Sequence, residues 1–273
     1  MFLAARPNPG AGIGHQMANW IAGYWYARQF GLQFAHIPFA PEKWERFLGF
    51  GAHESNVSDL RKNGYKMIRI PLFDEANENE VRLVKKIIDA YGNKKVVFIC
   101  EQDQYYKDQF GVTEDLRQKF YNAESRAADQ LVFNKAHFNI ALHVRRGDIV
   151  AGKDENPNLQ MRFQDNAYFV EVLKRALAEV KENKTIDIYL FSQGQPEDFK
   201  AFNQFDNLHL CLDMNAMDSF LHMVYADALI TSKSSFSYKP ALLNRGVKYV
   251  PDGFWHGYPE KEDWVLIDEN RRW

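Results

Sequence analysis

Arg145-Arg146-Gly147-Asp148 follows directly on the apolar run NIALHV (139–144), the position of a binding loop at the end of a strand. Two neighbouring guanidinium groups suit a pyrophosphate, because their N–H forks form charge-assisted bonds with phosphate oxygens. Ser232-Lys233-Ser234-Ser235-Phe236-Ser237 follows a second apolar run, 227–231, and opens a helix. Hydroxyls, backbone N–H groups and the positive end of the helix dipole together make an anion seat there. Ser192 ends the run TIDIYLFS, and Asp213 follows NLHLCL, with Asp218 at the start of the next helix. Those carboxylates suit hydrogen bonds from a base or a ribose. Singly, each feature has a plain structural explanation: a solvated charge pair, a helix cap, or Asp148 pairing with Arg145. Gathered on one edge of a parallel sheet, they point to a nucleotide diphosphate.

A second bare stretch, GAGIGHQ at 10–16, places Gly10, Gly12 and Gly14 on alternate positions. It lacks the Lys-Ser/Thr of a P-loop and matches only the first half of a dinucleotide fingerprint. A tight turn before a helix explains it as well as a ligand does. Taken with the strand-end cluster, Gly12 and Gly14 are expected to let backbone approach the diphosphate.

The elements that must position these groups read as two α/β halves. From 139 onward, short apolar strands alternate with helices; the helix at 166–182 shows Phe169, Val172, Leu173, Ala176 and Val180 on one face. Further helices are expected from Pro196, over 217–225 and over 237–243, and further strands at 185–191, 208–212, 227–231 and 247–250. In the first half, Met17, Trp20, Ile21, Tyr24 and Ala27 mark an apolar helical face. Strands are expected at 2–5, 33–37, 66–70 and 95–100, with helices over 78–91 and through 113–132. The expected fold class is α/β, with two Rossmann-like halves whose parallel sheets face a central cleft. The expected domains are a first α/β domain at 1–135, a nucleotide-binding domain at 136–250, and a tail at 251–273 packing back on the first.

Composition sets outer limits. The chain has 273 residues, 46% hydrophobic and 26% charged, with a formal net charge of −2, enough for one large or two smaller cores. Near-neutral charge argues against broad nucleic-acid binding. Cys100 and Cys211 lie in apolar runs without metal-ligand spacing and are expected to be buried free thiols. No apolar run is long enough for a membrane span, and the first residues lack the basic flank of a signal peptide, so the expected location is cytoplasmic. Aromatic residues, 15% of the chain, cluster in AGYWYARQF and DGFWHGYPEKEDW; core packing is expected of both, with a sugar or base platform as the other reading.

His143-Val144-Arg145-Arg146-Gly147-Asp148 resembles the H-x-R-R-G-D motif of the α1,2- and α1,6-fucosyltransferase superfamily, which includes protein O-fucosyltransferases. GIGHQMANWIAGYWYARQFG, YLFSQG and MVYADALITSKSSFSYK resemble segments of the α1,2 branch in particular. His15 stands for an Asn there, Lys233 for another, and Tyr238-Lys239 for two tryptophans, while Asp218 lies one residue out of register with the family's acid. The likeness covers 10–30 and 139–250. It implies a GT-B glycosyltransferase using a nucleotide-diphosphate sugar, typically GDP-fucose, with inversion and without a metal or other cofactor. On that basis Arg145 would hold the leaving β-phosphate with Arg146 in support. Ser234, Ser235 and Phe236 would line the pyrophosphate and base, and His143 and Asp218 the guanine or ribose side. The partners implied are the donor and a glycan acceptor.

A base for the acceptor hydroxyl would be His15, whose side-chain type titrates in the useful range, or Glu101 or Asp103 after the strand at 95–100. The unmatched middle, including PEKWERFLGFGAHES and EQDQYYKDQFG, is expected to shape the acceptor site. Three other readings stay open at this level. They are a different donor such as a UDP-sugar, a non-catalytic nucleotide- or glycan-binding protein, and a cell-adhesion role for Arg146-Gly147-Asp148.

Overall fold

The computed structural model describes residues 1–8, 10–103, 109–181, 183–255 and 257–268. The chain divides into two compact units, Met1–Ala128 and Asp129–Trp273, a boundary slightly ahead of the expected one.

In the first unit, β1 (Phe2–Ala5), β2 (Gln33–His36), β3 (Ser55–Asn56), β4 (Lys66–Arg69) and β5 (Val96–Cys100) form a parallel sheet in the order β3-β2-β1-β5-β4. The helices are α1 (Ile13–Gln29), α2 (Glu42–Leu48), α3 (Val57–Lys62), α4 (Glu78–Asp89) and α5 (Thr113–Tyr121). Strands β1 and β5 are buried at every residue, as continuous apolar strands covered on both faces should be. Helix α1 lies so close to β1 that a Cβ on Gly23 would stand 2.6 Å from the Ala5 Cβ and 2.9 Å from its nitrogen. Trp20 anchors the same helix: fully buried, it stacks on Tyr24 at 4.8 Å and meets Phe34 edge-on at 4.9 Å. Its Nε1 donates to His36 Nδ1 at 3.0 Å, so the indole brings a satisfied polar group into the core.

In the second unit, β6 (Phe138–His143), β7 (Ile186–Ser192), β8 (Leu208–Leu212), β9 (Ala228–Ile230), β10 (Val247–Pro251) and β11 (Trp264–Ile267) form a parallel sheet. Its order is β11-β10-β9-β6-β7-β8. Read from the β8 edge and numbered within the unit, this is 3-2-1-4-5-6, the doubly wound order of dinucleotide-binding folds. Helices α6 (Asp148–Gly152), α7 (Pro157–Gln160), α8 (Asn166–Glu179), α9 (Ala216–Tyr225) and α10 (Ser235–Leu243) complete it. Alternation along β6 sends Phe138, Ile140 and Leu142 into the core cluster with Phe169, Val172, Leu173 and Ala176 of α8. His143 faces the other way, where its ring meets Phe236 of α10.

The structure corrects several expectations. Residues 264–267, expected within the tail, form a strand that pairs with β10 and extends the second sheet. Lys248, fully buried, ion-pairs with Asp263 and helps to fix that added strand. The helix expected from Pro196 is a 3₁₀ segment, Pro196–Phe202, broken at Phe199. The helix expected through 113–132 ends at Tyr121, followed by a short 3₁₀ turn at Glu124–Ala128. Gly14 is helical and buried, and Gly12 caps α1, so the glycine turn is shorter than the sequence suggested. Both cysteines are free thiols, Cys100 buried and Cys211 half-buried. Burial pushes the Cys100 thiol up to about 12 and that of Cys211 up to about 11, which keeps both protonated at neutral pH. Among the described residues no helix is long and apolar enough to cross a membrane.

Candidate functional site

In an open doubly wound sheet, ligands bind beyond the carboxyl ends of the strands, where the winding reverses. Here that point lies between β6 and β9, and the loops after these two strands carry Arg145 and the serine cluster. The structure brings them together. Arg145 Nη1 donates to Ser234 Oγ at 2.8 Å, and its Nη2 donates to Asp148 Oδ2 at 2.8 Å. Ser234 caps α10, accepting from Phe236 N at 3.2 Å, and Ser235 opens the helix, nearly buried. Behind them His143 Nδ1 bonds Ser232 Oγ at 2.7 Å and ties the ends of β6 and β9 together. Burial, reinforced by Arg145 and Arg146, holds the His143 imidazole down to about 3, so it is neutral at physiological pH. This histidine, expected on the guanine or ribose side, is a buried strut between the strand ends.

Arg146 points elsewhere. Its Nη1 donates to Arg145 O and Gln164 O, both at 2.9 Å, and its Nη2 donates to Asn166 Oδ1 at 2.5 Å. These bonds fasten the loop after β6 to the start of α8. Burial pushes the guanidinium below its ordinary value, against the pull of Asp165 and Asp198. Gly147 is favoured as glycine by its backbone, and a side chain there would also displace the flexible Gln193 amide. Its φ is +60°, and a Cβ there would sit 2.2 Å from Gln193 Oε1. Arg146, Gly147, Lys153, Phe163, Gln193 and Asp198 line a cavity of about 600 Å³ at the ends of β6 and β7.

The remaining predicted residues of this unit lie along the same sheet edge. Ser192 Oγ donates to Val144 O at 2.6 Å, and Ser192 O accepts from Asp213 N at 3.0 Å, linking the ends of β6, β7 and β8. Asp213 is exposed with φ +55°, and Asp218 is exposed in the first turn of α9, bonded to Asn215. Neither carboxylate bonds to Arg145 or Ser234. Among the described residues no group of three or more His, Cys, Asp or Glu side chains is placed to hold a metal ion.

In the first unit, Gly12, Gly14, His15, Glu101 and Asp103 also lie beyond the carboxyl ends of adjacent strands, β1 and β5. Asn19 joins these two loops. Its Oδ1 accepts from Asn8 N at 3.1 Å, and its Nδ2 donates to Glu101 O at 3.1 Å and Gln102 O at 3.0 Å. Asn19→Ala strands three backbone groups in a buried place; urea unfolding should show a loss of about 2–3 kcal/mol in this unit. Both Glu101 oxygens carry an arginine, Arg6 at 3.0 Å and Arg69 at 2.6 Å. His15 sits in the first turn of α1, and Asp103 is half-buried. Gly12 is extended with φ −62°, and a Cβ added there meets nothing within 4 Å. Neither backbone conformation nor any described neighbour requires a glycine at that position. Of EQDQYYKDQFG, residues 104–108 lie outside the described ones.

Sequence reasoning missed Gln164 and Arg162. Gln164 is buried, and its Oε1 accepts from Lys233 N at 2.9 Å, so it clamps the serine turn to the loop that Arg146 holds. Arg162 lies over the Trp255 ring at 4.7 Å. Both fall in a short irregular connection, where no periodicity singles out a residue.

The sequence matches no known family profile and no curated protein. The fold does match solved structures. NodZ α1,6-fucosyltransferase soaked with GDP-fucose is 14% identical over 89% of this chain and 92% of that one, with a TM-score of 0.53. Fucosyltransferase NodZ from Bradyrhizobium gives a TM-score of 0.52 at 14% identity over the same shares. POFUT1 in complex with GDP is 10% identical over 91% of this chain and 98% of that one, with a TM-score of 0.54. With two parallel Rossmann-like sheets and these neighbours, the chain has a GT-B type of fold.

Proposed function

We propose that this protein is an inverting, metal-independent glycosyltransferase of the fucosyltransferase type, moving a sugar from a nucleotide diphosphate to a hydroxyl of a glycan acceptor. The observation that carries the reading is the contact of Arg145 with Ser234 where the second sheet reverses its winding. A guanidinium and a helix N-terminus converge there, the pair that a departing diphosphate needs. Solved neighbours of the same fold support it: one was soaked with GDP-fucose and another holds GDP, which makes guanine the first base to try and fucose the first sugar.

In this mechanism the sugar carbon passes through an oxocarbenium-like state while negative charge builds on the leaving diphosphate. Arg145 stabilises that charge, with Ser234, Ser235 and the α10 amides around it. His143 and Arg146 act by position, one bracing the strand ends and the other the loop. For the acceptor proton we assign His15, since both Glu101 oxygens are already held by arginines. Asp103 is the second choice. Asp213, Asp218 and Phe236 are assigned to the base and ribose.

The test is a screen of GDP-, UDP- and ADP-sugars for hydrolysis and transfer, with thermal shifts for the free diphosphates. GDP should raise the melting temperature and GDP-fucose should turn over, with EDTA leaving the rate unchanged. Turnover with a UDP-sugar alone would correct the donor. Nucleotide binding without any turnover would replace the enzyme by a binding protein, and no binding at all would end the proposal.

A further inference from the structure

The diphosphate reading needs more than one cation, and the sequence offered Arg146 as the second. Its guanidinium, however, is already occupied by two backbone carbonyls and an amide oxygen. Arg162 is in the opposite condition. Among the described residues its guanidinium makes no hydrogen bond and no ion pair. Its Nε is buried without a partner, as is that of Arg145. What holds Arg162 is the face of Trp255, 4.7 Å from its Cζ, while Phe254 packs against the same indole at a centroid distance of 4.2 Å. A stacked guanidinium keeps its in-plane N–H donors available, so this arrangement orients the cation without using up its bonds.

Charge around the pair is also unbalanced. Arg162 lies two residues before Gln164, which accepts from Arg146 and from Lys233 N, so its loop runs beside the serine turn. Burial and then the charge of Arg145 hold its guanidinium below the ordinary value, and Asp148 is paired with Arg145. Two guanidinium groups against one exposed carboxylate leave a net positive locus beside the Ser234 cap. Holding two like charges together is unfavourable, and a dianion placed between them removes the repulsion.

We infer that Arg162, held on Trp255, is the second guanidinium of the diphosphate site and partners Arg145 there, with Arg146 confined to bracing the loop. The inference rests on the nucleotide-diphosphate reading of this site and names a residue that reading lacked. It gives Trp255 a purpose as well: its exposed indole aims a cation.

Calorimetric titration of GDP and GMP into wild type, Arg162→Gln, Arg162→Lys and Trp255→Leu tests it, with melting temperatures as the check on folding. Arg162→Gln should weaken GDP binding about tenfold or more, the scale of a lost charged hydrogen bond, and leave GMP within about threefold of wild type. Arg162→Lys should recover part of the GDP affinity, and Trp255→Leu should fall between wild type and Arg162→Gln. Wild-type GDP affinity in Arg162→Gln, or equal losses for GDP and GMP, would overturn the assignment and leave the proposed function standing. Unchanged GDP binding in Trp255→Leu would overturn the aiming role of the indole. A wild-type protein that binds none of GDP, UDP or ADP would overturn the proposed function and this inference together.

Discussion

Arg145→Ala should reduce transfer by a factor of about 10³ or more, the range seen when a group stabilising charge in a transition state is removed. The side chain is placed for that effect. It is about a quarter exposed, and its two terminal nitrogens are spread between Ser234 and Asp148. Removing it eliminates the cation nearest the α10 cap and frees Asp148 to repel the donor. Donor binding should weaken too, though by less than the rate, because the leaving diphosphate carries more negative charge in the transition state than in the intact donor. Arg145→Lys keeps a charge but loses the fork, so it should retain a small fraction of wild-type activity. Steady-state kinetics with the donor found in the screen would decide the matter; an alanine variant transferring at the wild-type rate would remove the mechanism.

The second large effect is on stability and comes from His143. Its folded-state value lies near 3 against an ordinary 6.5. Above 6.5 both folded and unfolded chains carry it neutral, and it makes no difference. As pH falls below 6.5, the unfolded chain takes up a proton that the folded chain refuses, so stability declines by about 1.4 kcal/mol per pH unit until the folded histidine also titrates. His143→Asn preserves a hydrogen-bonding group near the Nδ1 position and abolishes the titration. Between pH 7 and pH 5 the wild type should therefore lose about 2 kcal/mol more than the variant, measured by urea unfolding. Equal losses in both would show that this imidazole is not kept neutral by its surroundings. The functional corollary is direct: a charged ring below Arg145 and Arg146 would add a third cation to a buried place without an anion to meet it.

Much of this architecture was readable from residues alone, and the reasons are physical. Runs such as IAL at 140–142 and VVFIC at 96–100 are apolar at every position, the mark of a strand covered on both faces. Once strands and helices alternate, parallel pairing follows, and with it the convergence of Arg145 and Ser234, 89 residues apart. What escaped had weaker local signals. Strand β11 has four residues at the sheet edge, buried only at its two ends, Trp264 and Ile267, so the sequence around it looks like an irregular tail. Strand β3 has two residues, too few for any pattern. The roles of the paired arginines were not separable in advance, because adjacent residues of one type differ only in where tertiary structure sends them. Arg146 turned toward Gln164 and Asn166, and Arg145 toward the serines. Arg162 carried no signal at all, since its partner ring lies 93 positions later.

The two glycines at either end of the α1 story set different terms for anyone redesigning the protein. Gly23 is fixed by the contact of helix with strand, so a mutant library there would be spent almost wholly on misfolded clones. Gly12 borders open space in a backbone geometry that any amino acid can adopt, so the same library there would consist almost wholly of folded clones.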